Sequence, residues 1–154
     1  MKKLIFTIVC AFIGITSLSA QTVDDIFKEF KDKQGVECVE IPKALMSMAS
    51  GMVKKESGSD LVKKIDHIRI LNIEDQPDLC QKFSEKTANL KKKGYETMVN
   101  SNEDDEKTLI LVKTKGETIS EMVIINIEPT ECSLIQMRGK FSSKDIKGLE
   151  GSFN

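Results

Sequence analysis

Tryptophan is absent from this 154-residue sequence, and tyrosine and histidine occur once each. With no tryptophan and a single tyrosine, exposed stacking platforms for sugars or bases are not expected. An excess of charge of one sign is lacking too: 23 basic residues stand against 24 acidic ones. A nucleic-acid surface calls for a clustered positive field, and this balance argues against one. Catalytic signatures are missing as well. The chain contains no G-x-S-x-G, no H-E-x-x-H and no glycine-rich phosphate loop. The single histidine, His67, has no recognisable nucleophile beside it in sequence, only Arg69 two positions on. It reads as a partly exposed strand residue rather than a general base. No internal repeat and no low-complexity tract breaks the chain.

What is present begins at the N-terminus. Lys2 and Lys3 precede a nearly unbroken apolar run from Leu4 to Ile15, followed by small residues ending at Ala20 and then the polar Gln21. This is the three-part layout of a secretory signal. The run falls short of the roughly 20 residues that a membrane-spanning helix needs. A lipid anchor would require a cysteine where Gln21 stands, so none is expected. Residues 1–20 therefore read as a signal peptide and 21–154 as one mature domain, with a loose tail from about 150. The expected location is the periplasm or cell exterior. Losing Lys2 and Lys3 takes the formal net charge from −1 to near −3. No second long apolar stretch follows, so no membrane span is expected after processing.

Cys38, Cys80 and Cys132 survive processing. Three is an odd number, which allows one bridge and a free thiol, or three reduced thiols. The spacing fits neither a zinc ribbon nor a redox C-x-x-C. All three read as small core residues, and the three possible pairings stay open.

Thr22 with Asp25 forms a capping signature for a first helix, whose Val23, Ile26, Phe27 and Phe30 share a face. Gly35 ends it. Val36 to Ile41 reads as a strand. Pro42 then opens a helix from Lys43 to about Val53, with Leu45 and Met48 expected against the sheet. Lys54 to Asp60 reads as a polar loop and His67 to Ile73 as a strand. Asp75 or Gln76 caps a third helix, which Lys91–Lys93 and Gly94 close. The triple lysine is explained by the helix dipole. Four strands follow: Tyr95–Asn100, Thr108–Thr114, Ile119–Ile127 and Cys132–Gly139. An acidic loop, Ser101–Glu106, joins the first two. Ser142 or Ser143 caps a short last helix. The expected fold is α+β: a two-layer sandwich with a mostly antiparallel sheet, a C-terminal four-strand meander and helices mainly on one face.

The meander strands are apolar on both pleats. Val123, Ile125 and Ile127 share one face of a strand, and Met122 and Ile124 the other. Leu134 likewise opposes Ile135 and Met137. A one-sided helix layer leaves Met122, Ile124, Ile135 and Met137 as the expected interaction surface. Two further groups bear on metal binding. Met46, Met48 and Met52 are soft ligands of the kind that suit Cu(I), but methionine on a helix beside a sheet reads first as core filling. The run Asn102–Glu106 lacks the alternation of a calcium loop and reads as a solvated turn.

Several stretches carry a resemblance. They are the signal ending Ser-Leu-Ser-Ala-Gln, the run VECVEIPKALMSMASGM at Val36–Met52, HIRILNIED at His67–Asp75, and SEMVIINIEPTECSLIQMRGKFSSKDIKGL at Ser120–Leu149. Together they resemble a family of small exported bacterial proteins of the Bacteroidetes type, catalogued only as a domain of unknown function. The resemblance spans essentially the whole mature chain. It implies export and an α+β fold, and it carries over no catalytic, cofactor or binding residues. The functional expectation is an exported non-enzymatic domain, without cofactor, that binds an envelope protein or its own copy. Soft-metal binding through the methionines, or a hydrolase with an unrecognised carboxylate site, are the alternatives. Processing is directly testable: intact mass of the exported protein should place the N-terminus at Gln21. A mass that retains residues 1–20, or that carries a lipid, contradicts the assignment.

Overall fold

The computed structural model describes residues 22–52 and 59–150. The expected signal peptide, most of the expected 54–60 loop and the tail beyond 150 lie outside the described residues. Thr22 caps helix α1 (Val23–Phe30): its hydroxyl accepts from the Asp25 N–H at 3.2 Å while the Asp25 carboxylate accepts from the Thr22 N–H at 2.9 Å. The apolar stripe Val23, Ile26, Phe27 and Phe30 is buried as its spacing requires. Gly35 turns the chain at φ +76°, where a Cβ would also sit 2.6 Å from Gln76 Cγ.

Strand β1 (Val36–Pro42) runs straight into helix α2 (Lys43–Met52), and helix α3 (Ser59–Lys64) runs into strand β2 (Ile65–Ile73). Helix α4 (Pro77–Ala88) has Pro77 in its first turn and closes through a 3₁₀ turn at Asn89–Lys92. Then come β3 (Glu96–Glu103), β4 (Glu106–Lys115), β5 (Thr118–Ile127), β6 (Cys132–Phe141) and helix α5 (Ser143–Glu150). All pairings are antiparallel, in the order β1-β2-β6-β5-β4-β3. The α+β class and the C-terminal meander are as the sequence indicates.

Three details differ from expectation. The segment expected to be a polar loop through Asp60 gives way to α3 at Ser59. The acidic loop expected at 101–106 is a two-residue turn at Asp104–Asp105, with Asp104 at φ +48°, and the flanking strands run up to it. A short polar side chain that tolerates left-handed backbone makes that tight turn possible. The third difference is the covering of the sheet. One pleat packs under α1 and α4, with Leu71, Ile73, Leu109, Leu111, Val123, Ile125 and Leu134 meeting Phe27, Phe30 and Phe83. The other pleat packs under α2, α3 and α5, where Met46, Leu61, Val62 and Ile146 meet Val112, Met122, Ile124 and Phe141. The second face thus has its own helix layer. Met122 and Ile124 are buried, and the partly buried Ile135 and Met137 pack against the same cluster. The surface expected to be open for a partner is core.

Helix α2 also turns differently from expectation. Met46 is buried, whereas Leu45 is 54% and Met48 65% exposed. The helix lies at the β1–β2 end of the sheet, so only one side of it meets apolar surface. Where α3 hands over to β2, the pairing slips between Ile65 and His67, and the β5 pairing slips between Ile119 and Glu121. These irregularities turn Ile65 and Ile119 into the second core. Gly139 sits at this level, where a Cβ would meet the Lys64 carbonyl oxygen at 2.1 Å. Met46→Ala should therefore cost about 2–4 kcal/mol in urea unfolding, while Met48→Ala should stay within about 0.5 kcal/mol. Gly139→Ala should destabilise through the backbone clash; unchanged unfolding midpoints for Met46→Ala and Gly139→Ala would contradict this packing.

Candidate functional site

The first face of the sheet is apolar over only part of its length. Along β2 the inward series changes from Ile73 and Leu71 to Arg69 and His67. Along β6 it changes from Leu134 to Gln136 and Arg138, along β5 from Val123 to Glu121, and along β4 from Leu111 to Lys113. The register places these side by side, pairing Arg69 with Gln136, Arg138 with Glu121, and Glu121 with Lys113. The result is a cross-strand polar cluster under the N-terminus of α1.

Its hydrogen bonds, with one ion pair, close into a ring. The Tyr95 hydroxyl donates to Glu121 Oε1 at 2.7 Å, and Gln136 Nε2 donates to the same oxygen at 2.6 Å. Gln136 Oε1 accepts from Arg69 Nε at 2.7 Å. The Arg69 guanidinium also donates to the Asp24 carboxylate in the first turn of α1. Asp24 accepts from Arg138 at 3.3 Å, and Arg138 Nε lies 3.8 Å from Glu121 Oε2. Two rings carry cations: Arg69 sits 4.3 Å from the centre of Phe27, and Lys113 4.3 Å from that of Tyr95. His67 is at the rim, with Nε2 2.8 Å from Glu40 Oε1.

The ring shifts two acids in opposite directions. Burial pushes the Tyr95 phenol far above its ordinary range, and its hydrogen bond to Glu121 adds to this by favouring the protonated form. Burial opposes ionisation of Asp24, but the Arg69 hydrogen bond and charge, with Arg138 behind them, outweigh it and hold the carboxyl below its usual value. Both carboxylates, Glu121 and Asp24, are held by donors of the ring. The arrangement can hold α1 in one orientation and present Asp24, Arg138 and Glu40 at its margin; within it, no unengaged base stands beside a nucleophile.

The residues singled out from sequence are scattered. Met46 is in the second core and Met48 in water, so the two sulfurs point apart; the side chain of Met52 lies outside the described residues. Cys38 is exposed on β1, contrary to its reading as core, whereas Cys80 and Cys132 are buried. Among the described residues no group of three or more His, Cys, Asp or Glu side chains is gathered as for a metal ion. None of the described helices is long and apolar enough to cross a membrane. Sequence reasoning passed over Asp24, Tyr95, Glu121, Gln136 and Arg138. The available signal was phase: polar residues at the inward positions of otherwise apolar strands.

Residues 30–149 match the sequence pattern of a family described as a domain of unknown function, DUF4252. The chain belongs to the DUF4252 family. None of the curated proteins and none of the solved structures compared with it gives a match. The family match begins at the last residue of α1 and ends within α5. It therefore takes in the whole sheet and most of the polar ring of this DUF4252 protein, leaving Asp24 outside.

Tyr95 gives this ring a direct readout, because it is the chain's single tyrosine and tryptophan is absent. In the folded protein the ultraviolet absorbance of tyrosinate should not appear around pH 10, where a free phenol ionises. A phenol raised in the native state contributes stability that is present below about pH 10 and is lost as pH rises toward the folded value. Tyr95→Phe should abolish that alkaline fall in stability. Tyrosinate absorbance rising near pH 10 with the fold intact would refute the buried hydrogen bond.

Proposed function

We propose that this chain is an exported, non-enzymatic domain whose role is to bind a protein, and that the protein bound is a second copy of itself docked on the free edge of β1. The observation carrying this is a clustering of exposed apolar residues. Of the four large hydrophobic side chains exposed among the described residues, three are at the β1–α2 corner: Val39 at 41%, Leu45 at 54% and Met48 at 65%. Beside them, β1 is an edge strand exposed from Glu37 through Glu40. An edge strand offers unpaired N–H and C=O groups to another chain. The N-terminal layout supports export, and the engagement of both ring carboxylates by hydrogen bonds and ion pairs supports a role other than turnover.

The backbone and charges favour a second copy. Glu74 N–H donates to the Gly35 carbonyl at 3.0 Å, which makes this pair a hydrogen-bonded one. Alternation along β1 then turns the backbone groups of Cys38 and Glu40 outward. Three two-fold antiparallel registers use these groups. Centring on Glu40 sets like charges opposite each other, and centring on Cys38 sets Val39 against Glu37. Centring on Val39 pairs Val39 with Val39, Cys38 with Glu40 and Glu37 with Ile41, with no like charges opposed. That register also carries the two α2 helices, with Leu45 and Met48, toward one another.

Sedimentation velocity at micromolar concentration tests this. The wild-type chain should be dimeric. Val39→Asp, at an exposed position, should leave the fold intact by circular dichroism and give a monomer, because two carboxylates would face each other across the axis. A wild-type chain that stays monomeric, or a Val39→Asp dimer, overturns the proposal.

A further inference from the structure

Two of the three thiols meet where α4 docks on the end of the sheet. Cys80 is in the first turns of α4, and Cys132 is the first residue of β6. They are 2% and 4% exposed and belong to the same core cluster. The docking is held by backbone. Gln76 N–H donates to the Thr130 carbonyl at 3.2 Å, and Cys80 N–H donates back to Gln76 at 2.9 Å. The start of α4 is thereby fastened to the turn between β5 and β6. The two side chains share the neighbour Glu128: Cys132 Sγ lies 3.7 Å from its carbonyl oxygen, and Cys80 lines a cleft with it; each thiol acts on the ionisation of the other. Cys38 is elsewhere, exposed on the edge strand.

Each thiol lies at the floor of a surface cleft. Cys80 lines one with Pro77, Gln81, Glu128 and Pro129, and Cys132 lines another with Asn72, Asn126 and Glu128. Burial raises both thiols above their ordinary pKa, and raises Cys132 the further. Cys80 sits in the first turns of α4, a place that favours negative charge, and opens the exchange.

We infer that Cys80 and Cys132 are a disulfide-forming pair that staples α4 to β6, with Cys38 left as a free thiol. The co-reactant is a disulfide donor of the thiol–disulfide exchange class. The Cys80 thiolate attacks one sulfur of the donor, forming a mixed disulfide and releasing the donor's other sulfur as thiolate. Cys132, having given up its proton, attacks the Cys80 sulfur and expels the remaining donor thiolate. Cys80 and Cys132 together lose two protons and two electrons; the donor disulfide gains both as two thiols. The bridge closes a loop from residue 80 to residue 132, which restrains the unfolded chain. This inference is independent of the proposed dimer, which involves neither residue.

The test uses the mature chain, fully reduced and then incubated folded with oxidised glutathione. Thiols are counted by alkylation after denaturation, followed by peptide mapping. Wild type should fall from three free thiols to one, located at Cys38, with a linked peptide joining Cys80 to Cys132 and no retained glutathione on either. Cys38→Ser should fall from two to none, and reduction should lower its unfolding midpoint by roughly 5–10 °C. Cys132→Ser should instead trap glutathione on Cys80. The inference is overturned by a linked peptide containing Cys38, by stable glutathione adducts on both Cys80 and Cys132, or by both thiols remaining free after prolonged incubation.

Discussion

Strands β4, β5 and β6 carry apolar side chains on both pleats, and neither pleat tolerates water. Val123 and Ile125 are fully buried on one side of β5, and Met122 and Ile124 are buried on the other. A single helix layer would leave a contiguous apolar face larger than a lone chain normally exposes. The connections answer this in turn. The link from β1 to β2 crosses the second face as α2 and α3. The link from β2 to β3 must carry the chain past β6, β5 and β4 to the far edge, and it crosses the first face as α4. After β6 the chain returns to the second face as α5. The Lys64–Asp145 ion pair at 2.7 Å ties α3 to α5 there. Its Asp145 carboxyl is held below its ordinary value by the Lys64 and Ser142 hydrogen bonds.

Within that arrangement α1 takes its place from the first face of the sheet and from α4. It is eight residues long, too short to be stable alone. Its apolar stripe fits the first face beside α4, where Phe30 meets Phe83 edge-on at 5.7 Å. Apolar packing is non-directional, however, and would accept a helix shifted along its axis. The polar ring removes that freedom. Asp24 meets Arg69 and Arg138 only when the first turn of α1 lies over them, and a shifted helix would leave buried Glu121 and Gln136 in a broken network. Half-satisfied networks of this kind are costly. Packing thus attaches the helix, and the charged groups fix its position.

Local signals made much of this legible. The Thr22–Asp25 cap, the Pro77 helix start and the antiparallel meander follow from short-range chemistry that tertiary context did not override. Two-sided apolarity of the meander was legible too, but its consequence was not. Whether a second face is closed by a partner or by the chain itself depends on where α2, α3 and α5 travel, and no local pattern encodes a path. The orientation of α2 failed for a related reason. Met46, Met48 and Leu45 are all apolar, and only the position of the helix at the end of the sheet decides which of them is covered. The polar ring is legible only through strand phase. Arg69, Glu121, Gln136 and Arg138 are in phase with Leu71, Val123 and Leu134, and that phase marks them as inward.

The exposed corner at β1 follows from the same geometry. A helix resting on the last two strands of a sheet covers apolar surface with one side only, and its outer side overhangs the edge. Leu45 and Met48 occupy that outer side, and Val39 lies on the strand beneath it. Edge strands are ordinarily protected by charge and by proline. β1 has both, in Glu37, Glu40 and Pro42. These features disfavour most incoming strands: Pro42 offers no N–H, and an acidic residue opposite Glu37 or Glu40 is repelled. They admit the two-fold register of the proposed dimer, which sets Val39 against itself and each glutamate against an uncharged residue. In that dimer the residues that protect the edge would also be the ones that recognise it.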